Sequence, residues 1–187
     1  MAIELYLVRH GNTAFNADGR LRGLADPPLD DVGERQAAAA AAALSEAAAA
    51  SILSSPLQRA ARTAEIIADT MGIEHHVDAR FNDRDYGFWT GHRKSEVLAE
   101  WGSVDAAPGV EPTESVLARV LPALDDLAEH TSDSTPLIVV THDAVIRPVM
   151  KRLDPAIALT VPTGSYQRLS YSQGQWQIDL VDQQPQI

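Results

Sequence analysis

A three-layer α/β/α fold around a mainly parallel sheet is predicted by three observations. Two short apolar runs of strand length, Leu5–Val8 and Leu137–Val140, are bounded by polar residues, as in strands buried on both faces. Between them lie stretches of helical character. The clearest is a tract from Ala37 to Ala50 in which eleven of fourteen residues are alanine, the strongest intrinsic helix former. Finally, Arg9-His10-Gly11 and Thr141-His142-Asp143 directly follow two strands, where open α/β sheets place ligand chemistry.

The first strand is expected over Ile3–Val8. From Asn12 to Asp31 the chain reads as a long loop with four Gly or Pro residues that carries Arg20 and Arg22, and loops of that length are usually functional. Val32 to Ala50 reads as one crossover helix and Ser51–Ser54 as a buried strand. Ser55 as N-cap and Pro56 at the first helical position then start a helix from Leu57 to Met71, stopped by Gly72. Arg59 falls in its first turn, where a cation opposes the helix dipole; it is either solvated or faces an anion shared with the helix amides, and the anion is the expected reading.

Ile73–Val77 reads as a short edge strand. Arg80 to His92 holds four of the ten aromatics, Phe81, Tyr86, Phe88 and Trp89, interleaved with Asp83, Arg84 and Asp85. That composition suits a loop packed down to aim a carboxylate, and equally a satellite hydrophobic cluster with solvated charges. Lys94–Trp101 reads as a short helix and Gly102 to Pro112 as irregular, so a substrate-facing insertion is placed at 80–112. Thr113-Glu114-Ser115 is expected to cap a helix running to His130, kinked at Pro122. A helix over Ala144–Leu153, interrupted by Pro148, follows the Leu137–Val140 strand. Tyr166–Tyr171 and Trp176–Val181 close the sheet as an antiparallel pair turning at Gln173-Gly174, and the tail after Asp182 is expected to be disordered. With no repeat and no linker, residues 1–187 read as a single domain.

With 45% hydrophobic and 22% charged residues, the 187-residue chain is of ordinary globular type. Its net charge of -11 argues against nucleic acid or an anionic membrane as main partner, so any anionic substrate must be caught by a local arginine cluster. Cysteine is absent, which excludes disulfides, thiolate nucleophiles and Cys-ligated metal. Met1-Ala2-Ile3-Glu4 runs into the first strand without a basic or apolar leader, and no run approaches the ~18 residues of a membrane span. A cytoplasmic protein is expected. Nothing in the sequence chooses between a monomer and a homodimer.

Strands ending near Arg9-His10, Ser54 and Val140 would bring His10, Arg59 and His142 to one edge of a parallel sheet. Arg9-His10-Gly11 by itself is also compatible with an ordinary strand exit; the convergence is what turns it into a site. Two histidines and two arginines suit phosphate better than a metal ion, because guanidinium forks match phosphate oxygens and repel cations. No His-x-x-x-His spacing supports a metal, and neither metal nor cofactor is expected.

Three segments carry a resemblance. They are Leu7-Val8-Arg9-His10-Gly11-Asn12-Thr13-Ala14-Phe15-Asn16 with Arg22-Gly23, Asp26 and Pro28-Leu29; Ser54-Ser55-Pro56-Leu57-Gln58-Arg59-Ala60-Ala61-Arg62-Thr63-Ala64; and Val140-Thr141-His142-Asp143-Ala144-Val145-Ile146-Arg147. In this order they resemble the histidine phosphatase superfamily, the phosphoglycerate mutase-like proteins. The resemblance implies that His10 is the nucleophile that becomes phosphorylated, that Arg9, Arg59 and His142 cradle the phosphoryl group, and that Thr13, Asn16, Arg22 and Gly23 bind substrate. Phe81-Asn82-Asp83-Arg84-Asp85-Tyr86-Gly87 is similar to a Leu-Asn-Glu-Arg-His-Tyr-Gly segment of the mutases. It implies Asp83, one methylene shorter than the family's glutamate, as general acid, with Asp85 as the alternative donor. Mutases of the family usually carry longer insertions and a basic substrate loop, whereas this chain has only Arg80, Arg84, Arg93 and Lys94 there. The expected activity is therefore hydrolysis of a small phosphomonoester, with phosphoglycerate mutase-type transfer as the alternative and a non-catalytic phosphate-binding regulator as the least favoured reading.

Overall fold

The structure, a computed structural model, describes residues 2–131 and 135–187. Six strands form one sheet in the order β3-β2-β4-β1-β5-β6. Its parallel half comprises β3 (Glu74–Val77), β2 (Ser51–Ser54), β4 (Leu137–Thr141) and β1 (Ile3–Arg9). β5 (Tyr166–Ser172) and β6 (Gln175–Gln183) continue it antiparallel beyond β1.

Because side chains alternate along a strand, β1 and β4 feed two cores. Leu5, Leu7, Leu137 and Val139 face α5 (Thr113–His130) and α6 (Asp143–Leu153). Tyr6, Val8, Ile138 and Val140 face α2 (Asp31–Leu44) and α3 (Gln58–Met71). Helices thus cover both faces, giving the expected three layers. A third, smaller cluster joins Leu21 to Trp89, Val97 and Ala107, with Tyr86 and Val104 packed on it. It seats α4 (Lys94–Trp101) and its flanking loops over the segment that follows β1.

Several boundaries differ from expectation for identifiable reasons. The alanine tract is helical only to Leu44: a 3-10 turn at Ser45–Ala47 follows, and Ala48 takes a left-handed conformation with φ 50°. Alanine has high helix propensity but no means of terminating a helix, so composition could not show the stop. The expected loop at 12–31 contains a one-turn helix, α1 (Ala14–Ala17), capped by Thr13. Neither Ser55 nor Thr113 caps a helix; α3 starts at Gln58 and α5 follows Pro112. The Gln58 amide is instead accepted across space by the Asp26 carboxylate at 2.7 Å, a long-range cap that local sequence does not reveal. β6 extends to Gln183, which pairs with Tyr166, so the sheet continues past the point where disorder was expected.

Candidate active site

Parallel pairing of β1 with β4 sets Arg9 opposite Thr141, so the next residues, His10 and His142, emerge side by side. Their rings lie 5.1 Å apart and both are fully buried. Gly11 holds the turn at the strand end. A Cβ there would stand 2.4 Å from the Gly33 carbonyl, and one on Gly33 would stand 2.2 Å from the Asn12 carbonyl. The glycine is thus required by the first turn of α2 packed on the loop.

His10 Nδ1 lies 2.7 Å from the Gly11 carbonyl, which can only accept, so Nδ1 carries the proton and Nε2 carries the lone pair. Nε2 is buried with no hydrogen-bond partner among the described residues. Burial first, then His142, Arg59, Arg22 and Arg9, hold the His10 pKa well below its ordinary value. His142 is pushed the same way by burial and then Arg59, and neither of its ring nitrogens has a hydrogen bond. Both rings are therefore neutral at pH 7.

Arg59 reaches up from the first turn of α3 and is fully buried. Its terminal nitrogens donate to the carbonyls of Ala25 (2.7 Å) and Gly23 (2.8 Å) and to Asp83 Oδ2 (2.8 Å). In place of the expected anion shared by Arg59 and the helix amides stand two carboxylates, Asp83 on Arg59 and Asp26 on the Gln58 amide. Arg9 donates to the Val161 carbonyl at 2.5 Å and has its pKa pulled down to about 10 by burial and then by Arg22. The Nε atoms of Arg9, Arg22 and Arg59 are buried without partners, as are His10 Nε2 and His142. Three guanidinium groups and a second imidazole close enough to His10 to lower its pKa, each with a buried nitrogen that has no partner among the described residues, form a receptor for a compact oxyanion.

Asp83 is 2% exposed, with Oδ1 accepting the Arg84 amide and Oδ2 lying 3.6 Å from His142 Nδ1. Asp85 is exposed and turns its carboxylate to the Gly87 amide. Among the sequence candidates, Arg22 and Asn16 line the cleft beside the site. Thr13 and Gly23 do not. Thr13 caps α1 and donates to Asn16, and the Gly23 carbonyl holds Arg59, so both act as supports behind the wall. Among the described residues, no group of three or more His, Cys, Asp or Glu is placed to hold a metal ion, and no helix is long and apolar enough to cross a membrane.

Sequence reading missed the residues that fix the Asp83 loop. Arg119, on α5, donates to the carbonyls of Arg80 (2.7 Å), Asn82 (2.8 Å) and Asp83 (3.1 Å), and its other side pairs with Glu111. Thr141 donates to the Phe81 carbonyl, and Ser55 to Asn82 Oδ1. A lone arginine in the middle of an amphipathic helix gives no local signal of such a clamp. Since a shift of about 1 Å at a reacting group can cost 10²-fold, Arg119→Ala should lower kcat on alkyl phosphates roughly 10–100-fold. Arg119→Lys, which keeps the charge but not the fork, should recover part of it. Steady-state kinetics on the two variants, with circular dichroism as the folding control, check this.

The buried neutral histidines also set a pH dependence of stability. Their folded pKa values are depressed, so below about 6.5 the unfolded chain binds protons that the folded chain refuses. Stability is flat with respect to these groups above pH 6.5 and falls with acidification, by up to roughly 1.4 kcal/mol per pH unit for each histidine. Thermal melts at pH 7.5 and 5.5 should show a lower Tm at 5.5, and His142→Gln should narrow the gap; an unchanged gap would mean that these rings are not the source.

Beside the site opens a cleft of about 730 Å³ that has Arg9 and Arg22 in its lining but not His10, Arg59, Asp83 or His142. Eight of the fifteen Lys and Arg side chains line it, against three of the 26 carboxylates, so a chain of net charge -11 concentrates its positive charge at this mouth.

The comparisons with known proteins agree with this geometry. The family model described as histidine phosphatase superfamily (branch 1) matches residues 5–184. A probable phosphoglycerate mutase from Salmonella heidelberg (strain SL476) is 32% identical, the match covering 93% of this chain and 87% of that protein. A mycobacterial glucosyl-3-phosphoglycerate phosphatase solved with VO3 superposes with a TM-score of 0.87 at 27% identity, over 97% of this chain and 99% of that one. A structure titled mycobacterial hydrolase 2 gives a TM-score of 0.88 at 26% identity, over 100% and 93%.

Proposed function

Because this chain belongs to the histidine phosphatase superfamily, we propose that it hydrolyses a phosphomonoester through a phosphohistidine on His10. The observation that carries the reading is the buried, neutral His10, whose Nδ1–H is tied to Gly11 and whose Nε2 keeps a free lone pair, with His142, Arg59, Arg22 and Arg9 close enough to lower its pKa.

In this mechanism the phosphoryl oxygens take the free Nε–H groups of Arg9, Arg22 and Arg59 and a nitrogen of His142. These fixed donors meet charge that grows in the transition state, the main demand of phosphoryl transfer. His10 Nε2 attacks phosphorus in line. The ester P–O bond breaks, and the Asp83 carboxyl, acting as general acid, gives its proton to the leaving oxygen. Water then attacks the phosphohistidine, losing a proton to Asp83, and orthophosphate leaves. Arg59 links the two stages: in the free protein it holds Asp83, and an arriving phosphoryl group competes for the same guanidinium.

Phosphatase is favoured over mutase by the walls of the cleft. A mutase must shield its phosphoenzyme from water, which calls for a cationic segment able to close over the intermediate. Two of the four cations of the 80–112 stretch are committed elsewhere: Arg80 pairs with Asp78 and Asp126, and Arg84 with Asp105.

The test is rapid-quench turnover of p-nitrophenyl phosphate. A burst of nitrophenol equal to the enzyme, an acid-labile phosphoprotein and steady release of orthophosphate are expected. Binding of vanadate without any burst would leave a non-catalytic binder. Faster exchange of phosphate between glycerate positions than its release to water would establish the mutase.

A further inference from the structure

Arg9 and Arg22 of the phosphoryl cradle also line the cleft, and most of its lining lies beyond them. Along its floor runs a stripe of α6: Asp143, Ala144, Arg147, Pro148, Lys151 and Arg152, the spacing of one helical face. The stripe begins beside His142 and ends in two cations. At 1.5 Å per residue, the backbone of Lys151 and Arg152 lies roughly 12 Å further along the helix than that of Asp143.

Several cations of the wall are already engaged. Arg147 donates to the carbonyls of Leu159 and Thr160 and pairs with Asp143 at 2.8 Å. Arg84 is held by Asp105 and the Glu111 carbonyl, and Arg20 by Asp18 and the Gly91 carbonyl. Lys151 and Arg152 have no ion pair or side-chain hydrogen bond among the described residues, and the same holds for Lys94 on the facing wall. Of the three carboxylates in the cleft, Asp105 and Asp143 are paired, leaving Glu114 as the one uncommitted acid. Between the two cationic ends the wall is apolar, formed by Leu21, Leu98, Val104 and Leu117.

We propose that the substrate is a phosphomonoester bearing a second anionic group, a carboxylate or a second phosphorus oxyanion, roughly 10 Å from the transferred phosphorus, and that Lys151 and Arg152 receive it. The inference rests on the phosphatase reading and extends it to a substrate class. A short molecule, whose second anion sits a few bonds from its phosphate, would leave this end unfilled. The bland alternative is that the two cations only complement the negative end of the α6 dipole.

A set of ruler compounds separates the two. The ω-carboxyalkyl and ω-phosphonoalkyl phosphates, with three to twelve methylenes, are compared with n-alkyl phosphates of equal length. The ratio of kcat/KM between each anionic compound and its n-alkyl counterpart should peak near roughly eight methylenes. At the peak it should reach about tenfold, the scale of two solvent-exposed ion pairs. The arm with the higher peak identifies the second anion as carboxylate or phosphorus oxyanion. In Lys151→Gln/Arg152→Gln the peak should flatten toward unity. A ratio independent of length, or a peak that survives in the double variant, overturns the proposal and leaves the dipole role. Calorimetric binding of the non-hydrolysable alkane-1,ω-bisphosphonates reads the distal subsite without turnover. A length optimum in binding with no hydrolysis of any phosphate would therefore sink the phosphatase reading while sustaining the subsite, and absence of that optimum would sink the subsite alone.

Discussion

His10→Ala should be inert, with kcat on every phosphomonoester lowered at least about 10⁴-fold and no labelled protein recovered after acid-free quenching. The expectation follows from how the ring is built in. His10 Nε2 joins burial and proximity to the guanidinium cluster with a lone pair fixed in place by the Nδ1–H bond to Gly11, whereas no hydrogen bond fixes which nitrogen of His142 carries its lone pair. His142, the other imidazole, lies 5.1 Å away on the next strand end and would have to attack from a different direction. The arginine cradle stays in place, so the variant should still bind vanadate or phosphate. Chase labelling with phosphate-labelled substrate decides the matter: a phosphoprotein that survives the substitution would move the nucleophile elsewhere.

Asp83→Asn should show the second largest loss, about 10²–10⁴-fold in kcat on alkyl phosphates, and a much smaller one on p-nitrophenyl phosphate. An alkoxide needs a proton as it departs, whereas nitrophenolate does not, so the deficit should track the basicity of the leaving group. The change has a structural cost as well. Asp83 is the carboxylate that neutralises the fully buried Arg59, and breaking a buried pair from one side typically costs about 3–5 kcal/mol. A lowered Tm is expected, largely restored by millimolar phosphate, which supplies Arg59 with a replacement anion. Asp85→Asn, on an exposed side chain that caps a turn, should leave the leaving-group dependence intact. If Asp85→Asn and not Asp83→Asn flattens that dependence, the roles of the two carboxylates are exchanged.

What could be read in the sequence was whatever is local in the chain. The two strand ends carry their chemistry in contiguous tripeptides, and apolar runs of β4 type announce a doubly covered strand, so the sheet and the pairing of His10 with His142 followed. The 80–92 aromatics read as a packed loop with an aimed carboxylate, and Trp89 with Tyr86 does pack under Leu21 while Asp83 faces His142. The hidden part is what depends on approach across space. Asp26 capping α3 from 32 residues away, Arg119 gripping three carbonyls and Thr63 accepting the Gly11 amide are all long-range bonds by polar side chains with no motif. The end of α2 was hidden for the opposite reason: the uniform run Ala37–Ala43 passes into Leu44-Ser45-Glu46 and more alanine with no Gly or Pro to mark a stop.

The parallel register of β1 on β4 also has a bearing on how the molecule comes to be active. The two strands are separated by about 130 positions, and Leu5 must find Leu137 for Arg9 to meet Thr141. Contacts this distant in sequence close late during folding, because the loop entropy has to be met before the pairing rewards it. A slip of one residue would turn every side chain of β1 to the opposite face and part the two imidazoles. Partly folded chains, however compact, are therefore silent toward phosphate esters. During refolding from denaturant, the return of helix signal should run ahead of the return of turnover, and the lag between them times the last pairing step of the sheet.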